Sequence, residues 1–134
     1  MKIELFEDIE YWKLARELMA RVYGVTRNDK FSRDDGLREQ IQRTAGAVMR
    51  NIAKGFDGEG NAEFLKFLRY AQRSRAEVQS QLYVALDQGY IPQEQFAELY
   101  ELARRTRATI GAFIKYLRDY EAKSKQPKTA NRQP

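Results

Sequence analysis

Residues 96–120 read FAELYELARRTRATIGAFIKYLRDY. Phe96, Leu99, Ala103, Thr106, Ile110, Phe113, Leu117 and Tyr120 stand 3, 4, 3, 4, 3, 4 and 3 residues apart, the seam of a helix lying lengthwise against other helices. A strand alternates its faces every second residue and cannot use that spacing. Thr106, the one aliphatic hydroxyl on the seam, is expected to bond to its own helix backbone.

Three more helical stripes precede it. Phe64, Leu68, Ala71, Val78, Leu82 and Ala85 mark one face of a helix from about Ala62 to Gln88, with Gly89 placed to end it and Pro92 to begin the next. Leu37, Ile41, Ala45, Val48 and Ile52 give a second helix its buried side, and SRDD at Ser32 to Asp35 resembles a capping box with Asp in place of Glu. Tyr11, Leu14, Leu18, Val22 and Val25 carry a first helix running from about Phe6 to Val25. Short connections between four helices predict an all-α, antiparallel up-down-up-down four-helix bundle over residues 1–121. The remaining residues, 122–134, AKSKQPKTANRQP, have no apolar periodicity and two prolines, and are expected to form a disordered basic tail.

The composition narrows the chemistry. There is no Cys and no His among 134 residues, which removes thiolate nucleophiles, imidazole bases, disulfides and the usual His-containing metal sites. Carboxylates miss the buried stripes, so a di-iron bundle built on paired Glu-x-x-His motifs has no ligands. The expectation is a protein that is no enzyme and holds no cofactor and no metal. The loop GFDGEGN, residues 55–61, lacks the preceding strand and the Gly-Lys-Ser/Thr ending of a phosphate loop, and reads as a link with Asn61 as N-cap. No run approaches a membrane span, and the acidic start MKIELFEDIE is unlike a signal peptide; a cytoplasmic protein without a membrane partner is expected.

The net charge of +5 is unevenly spread. Lys123, Lys125, Lys128 and Arg132 in the tail have no acid among them, and the segment Arg38 to Arg75 has eight cations against four acids. On a helical wheel Arg43, Arg50 and Lys54 fall within about 40° of one another, opposite the buried stripe of the second helix. They form either an ordinary solvated face or a surface that tracks phosphates. Arg69, Arg73 and Arg75 lie among Phe64, Phe67 and Tyr70, an interleaving that could stack bases, with solvated arginines over core phenylalanines as the plainer alternative. Gln42, Met49, Ala53 and Phe56 give the second helix a further, partly apolar side, which points to self-association.

Several of these segments together resemble the 23S rRNA intervening-sequence proteins, small bacterial four-helix-bundle proteins, from about Phe6 to Leu117. The family's Gly-Leu falls on Gly36 and Leu37, its Gln-Ile-x-Arg on Gln40, Ile41 and Arg43, its Asn-Ile-Ala-Glu-Gly on Asn51, Ile52, Ala53 and Gly55, and its Ser-x-x-Glu on Ser74 and Glu77. The resemblance implies an antiparallel bundle assembling into a ring-shaped homo-oligomer, commonly a homopentamer, with no established activity. Relatives in fold are accessory proteins of reverse transcriptases, to which nucleic-acid binding through a basic ring surface is ascribed. Here the family's Glu is Lys54, a Gly is Arg73 and a position commonly Ser is Arg50; each change makes the surface more basic. Gln40, Asn51, Ser74 and Glu77 are expected to form a structural polar motif, with Glu77 and Arg43 joining helices or subunits. RNA or DNA is the expected partner, and a protein-interaction scaffold with no nucleic-acid ligand is the rival reading.

Overall fold

The computed structural model describes residues 6–124. They form a 3-10 turn, Phe6–Asp8, and five α-helices: α1 Glu10–Val25, α2 Asp29–Arg33, α3 Asp35–Phe56, α4 Asn61–Asp87 and α5 Gln93–Ser124. No strand occurs among the described residues. α1 packs against α3 and α5, α3 against α4, and α4 against α5, so each long helix has two long neighbours and turns one face inward.

The predicted stripes supply that inward face. Leu14, Leu18, Val22, Ile41, Ala45, Val48, Ile52, Leu68, Ala71, Val78, Leu82, Ala103 and Ile110 are all buried. Thr106 is buried as well, and its Oγ1 donates to the Leu102 carbonyl at 2.8 Å, the expected bond to its own helix. The apolar core falls into two clusters. One runs from Leu14 through Val25, Phe31, Ile41 and Val78 to Ile91, Phe96 and Ala103. The other joins Ile9, Tyr11, Ala15, Val48, Ile52, Leu68, Ala71, Ile110 and Leu117. Arg75 on α4 and Thr106 on α5 stand in sequence at the boundary, and a buried polar link from Gln81 Nε2 to Thr44 Oγ1, 3.3 Å, joins α4 to α3.

The ends of the elements depart from the sequence reading. The first helix does not run unbroken from Phe6: Ile9 is extended (φ −79°, ψ 125°) and buries its side chain in the second cluster, so the chain makes a 3-10 turn and then restarts. α2 was not expected; five residues are too few for periodicity to show, and the element exists to bury Phe31 against Tyr90, ring centroids 5.3 Å apart. Ser32 belongs to α2, and the cap of α3 is Asp34, whose Oδ1 accepts from the Leu37 amide at 3.1 Å. Asn61 is the first residue of α4, not its cap; Gly60 precedes it at φ +90°, and the Glu63 carboxylate reaches back to accept from the Glu59 amide at 3.2 Å. That carboxylate occupies the loop backbone where a phosphate loop would present its amides.

Gly89 ends α4 as expected. Its φ is +74°, its amide donates to Leu86 O at 3.0 Å and the Tyr90 amide to Ala85 O at 2.8 Å, the two bonds of a Schellman motif. The far end of α5 outruns the core: Leu117 is buried, but Tyr120 is 54% exposed, so the seam stops one turn earlier than its spacing suggests. The helix continues to Ser124, three residues beyond the expected end of the bundle at residue 121. The rest of the basic tail lies outside the described residues.

Candidate nucleic-acid interface

Arg43, Arg50 and Lys54 are exposed on α3, on the side away from Ile41, Ala45, Val48 and Ile52. The 3.6-residue period puts all three on one line along the helix. Arg50 does not simply extend into solvent. A Cβ added at Gly46 would lie 2.8 Å from Arg50 Nη1 and 3.8 Å from Met19 Sδ, so the guanidinium folds back over the glycine beside α1. The missing side chain of Gly46 is the space it occupies.

Arg69 and Arg73 are exposed on α4 with Tyr70 between them, 39% exposed. Arg73 Cζ sits 5.7 Å from the Tyr70 ring centroid, and Lys66 Nζ lies 4.9 Å from that of Phe67. Phe67 and Tyr70 meet edge to face at 5.7 Å and 87°. A cation over a ring is held by the ring's negative face, so these side chains form a short row of aromatics carrying positive charge. α3 and α4 touch closely at their joined ends: a Cβ at Gly55 would lie 2.9 Å from Phe64 Cδ1 and 3.2 Å from the Phe64 carbonyl oxygen.

Among the described residues no ion pair involves Arg43, Arg50, Lys54, Arg69 or Arg73, whereas Arg21, Arg33, Arg38, Arg104 and Lys115 each have a carboxylate within 4 Å. The positive charge of this face is therefore left to the solvent.

Arg75 does not join the other α4 arginines. It is buried, 8% exposed, and stands in sequence between Ala71 of one apolar cluster and Val78 of the other. The signal was in the sequence: Ala71, Arg75, Val78 and Leu82 stand 4, 3 and 4 apart, so the helical spacing itself puts Arg75 on the buried seam. The polar motif is dispersed. Gln40 and Glu77 are exposed, Ser74 is half-buried, and Asn51 Nδ2 donates to the Ala47 carbonyl of its own helix at 2.9 Å. Glu77 forms no ion pair with Arg43 within the chain. The polar side chains that do join helices are others: Gln42 Nε2 donates to Thr26 Oγ1 at 2.9 Å and Gln72 Nε2 to the Arg107 carbonyl at 3.0 Å.

The semi-apolar side of α3 is likewise used inside the chain. Met49 and Phe56 pack on the second cluster, and Gln42 is engaged by Thr26. The large apolar side chains left exposed are Tyr23, Tyr70, Tyr83, Val84, Tyr116 and Tyr120, mostly on α4 and α5. Among the described residues no cluster of three or more acidic, His or Cys side chains could hold a metal ion, and no helix is long and apolar enough to cross a membrane.

The sequence matches the family profile described as 23S rRNA-intervening sequence protein over residues 7–112, close to the span that the motifs mark out. Among solved structures, a protein of unknown function from the S23 ribosomal protein family of Bacteroides thetaiotaomicron matches with a TM-score of 0.71 at 19% sequence identity, covering 78% of this chain and 98% of that one. At that identity the likeness is one of fold. No curated protein matches.

Proposed function

The chain belongs to the 23S rRNA-intervening sequence protein family, and from that premise we propose that it is a non-enzymatic, cytoplasmic up-down-up-down bundle that closes into a homopentameric ring and binds RNA or DNA without strong sequence preference. The observation that carries the reading is the set of exposed cations Arg43, Arg50 and Lys54 on α3 and Arg69 and Arg73 on α4, free of carboxylate partners among the described residues, with Arg73 over the exposed Tyr70 ring. Phosphate contacts by such side chains release counterions and give affinity without sequence information, while an exposed ring supplies a stacking face that any base can use. The short links at residues 57–60 and 88–92 support antiparallel neighbours. Tyr83, Val84, Tyr116 and Tyr120, exposed on α4 and α5, support a subunit contact on that side. A ring would repeat one weak basic face several times on a single nucleic acid, which multiplies its effect.

Retention on an RNA column, eluted with rising salt, tests this directly. The double variant Arg50→Ala, Lys54→Glu should elute at lower salt and show a shallower dependence of affinity on salt, with native mass spectrometry confirming an unchanged oligomer. Affinity equal to that of the unaltered protein would replace the nucleic-acid reading by that of a protein-interaction scaffold. A clean monomer at micromolar concentration would remove the ring.

A further inference from the structure

Arg75 is the one charged side chain that is buried among the described residues. Its Nε donates to Gln72 Oε1 at 3.3 Å and its Nη1 to Gln79 Oε1. Both partners are neutral, and no carboxylate pairs with it among the described residues. The charge nearest in effect has the same sign: burial first, then Arg107, hold the guanidinium below its ordinary range, against a smaller opposing effect of Tyr100. Buried charges are ordinarily paired; this one is hydrogen-bonded to Gln72, a wall of a cleft that other cations line.

The cleft runs between α4 and α5, has a volume of about 360 Å³, and is walled by Gln72, Arg104, Arg107, Ala108 and Gly111. Gln72 connects it to the buried charge: its Oε1 accepts from Arg75, and its Nε2 donates to the Arg107 carbonyl. Ala108 and Gly111 leave the floor low; a Cβ at Gly111 would already stand 3.7 Å from Gln72 Nε2. Glu101 holds the Arg104 guanidinium at 2.8 and 2.6 Å, so that cation is neutralised. Arg107 is exposed and has no ion pair among the described residues. Two positive charges therefore converge without a counter-charge.

We propose that this cleft is a phosphate-binding site, with the anion seated against Arg107 and Gln72 and the Arg75 guanidinium supplying charge from behind. Arginine suits a phosphate because its planar fork offers paired donors. The site also lies along a row of cations that have no ion pair among the described residues: Arg118 stands about three turns beyond Arg107 on the same face of α5, and Arg69 lies one turn before Gln72 on α4. Such a row favours a phosphodiester chain over a small free anion. The site stands on its own geometry and does not require the α3 ridge to bind anything.

Melting curves in sodium phosphate and in sodium chloride of equal ionic strength provide the test. Phosphate stabilises most proteins through exclusion from their surfaces, so the comparison between variants carries the result. Arg75→Met should melt at or above the unaltered protein in chloride, because it removes an unpaired buried charge, and should gain less than half as much from phosphate. Arg107→Gln, at an exposed position that spares the fold, should show the same reduced gain. Equal phosphate gains in the unaltered protein and in Arg107→Gln would overturn the proposal, whether or not Arg75→Met folds. A labelled single-stranded oligoribonucleotide identifies the source: binding weakened at least threefold by Arg107→Gln assigns the site to a phosphodiester, and unaltered binding alongside a lost phosphate gain assigns it to free phosphate. Because Arg50→Ala, Lys54→Glu leaves the cleft untouched, failure of the ridge and failure of the cleft are read separately.

Discussion

The Tyr90 hydroxyl donates to Asp34 Oδ2 at 2.8 Å across 56 residues of sequence, while Oδ1 of the same carboxylate caps α3 through the Leu37 amide at 3.1 Å. One side chain thus starts α3 and fastens it to the link between α4 and α5. The Leu37 amide first, and then the Tyr90 hydroxyl, hold the Asp34 carboxyl below its ordinary value of 3.8. A carboxyl with a depressed value stabilises the fold above its unfolded value and loses that contribution as pH falls through the folded one. Acid unfolding should therefore show a contribution from Asp34 that disappears below about pH 4. Asp34→Asn keeps the cap but cannot titrate, and should flatten this limb; Asp34→Ala should lower stability at neutral pH as well. Urea melts from pH 2 to 7 would measure both, and an unchanged acid limb in Asp34→Asn would exclude the assignment.

Tyr11 gives the opposite pH dependence. Its hydroxyl is buried with no hydrogen-bond partner among the described residues, and burial raises its ionisation well above the ordinary 10.0. In alkali the unfolded chain releases this proton first, so stability should be complete below about pH 10 and fall above it. Tyr11→Phe removes a polar group that has lost its water, a cost of about 1–3 kcal/mol. The variant should equal or exceed the unaltered protein in stability and fall less steeply in alkali. A loss of more than about 1 kcal/mol would reveal a bonded hydroxyl.

Gly55 and Gly89 should respond differently to the same methyl group. At Gly55 a Cβ meets Phe64 Cδ1 at 2.9 Å, Phe67 Cβ at 3.1 Å and backbone oxygen at 3.2 Å, so Gly55→Ala should push α3 from α4 at a cost of about 1–3 kcal/mol. At Gly89 the space is open but φ is +74°, so Gly89→Ala should cost about 1–2 kcal/mol through the backbone alone. Crystal structures of the two variants would separate these origins. A displaced helix is expected in the first and unchanged packing in the second.

Ile52 and Lys54 lie two residues apart on opposite sides of α3. Ile52→Ala should destabilise by about 2–5 kcal/mol through the cavity it leaves, since the side chain is fully buried. Lys54→Glu should leave the melting temperature within a few degrees of the unaltered protein and alter polyanion binding instead. Calorimetry on both variants, with a melting point for Lys54→Glu as low as that for Ile52→Ala, would show the ridge to be part of the fold.

The helical seams were legible because spacing alone reports which side of a helix is apolar. It does not report where the neighbours end, which is why Tyr120 satisfies the pattern of α5 and still faces solvent. Arg75 shows the converse: its position on the seam was plain in the spacing, but its charge argued for the surface, and position prevailed. Phe31 was hidden by the shortness of α2. The SRDD segment offered adjacent side chains as caps, and the choice fell to Asp34 because Tyr90, remote in sequence, holds its second oxygen. For the same reason the unpaired ridge on α3 could be proposed from the wheel, whereas the cleft beside Arg107 depends on contacts between α4 and α5 that no local pattern encodes.

The division of the apolar core has a consequence for motion. Cooperative opening follows contiguous apolar contacts, and here the buried apolar residues fall into two clusters, with Arg75 and Thr106 at the boundary between them in sequence. The corner built from Phe31, Tyr90 and Ile91 can loosen while the cluster around Ile52, Leu68 and Ile110 stays closed. Amide hydrogens in α3 and α4 should accordingly exchange in two blocks with separate free energies of opening. Arg50, Lys54 and Arg69 interleave in sequence with residues of the second cluster, so this part of the proposed binding face can keep its shape while the opposite end breathes.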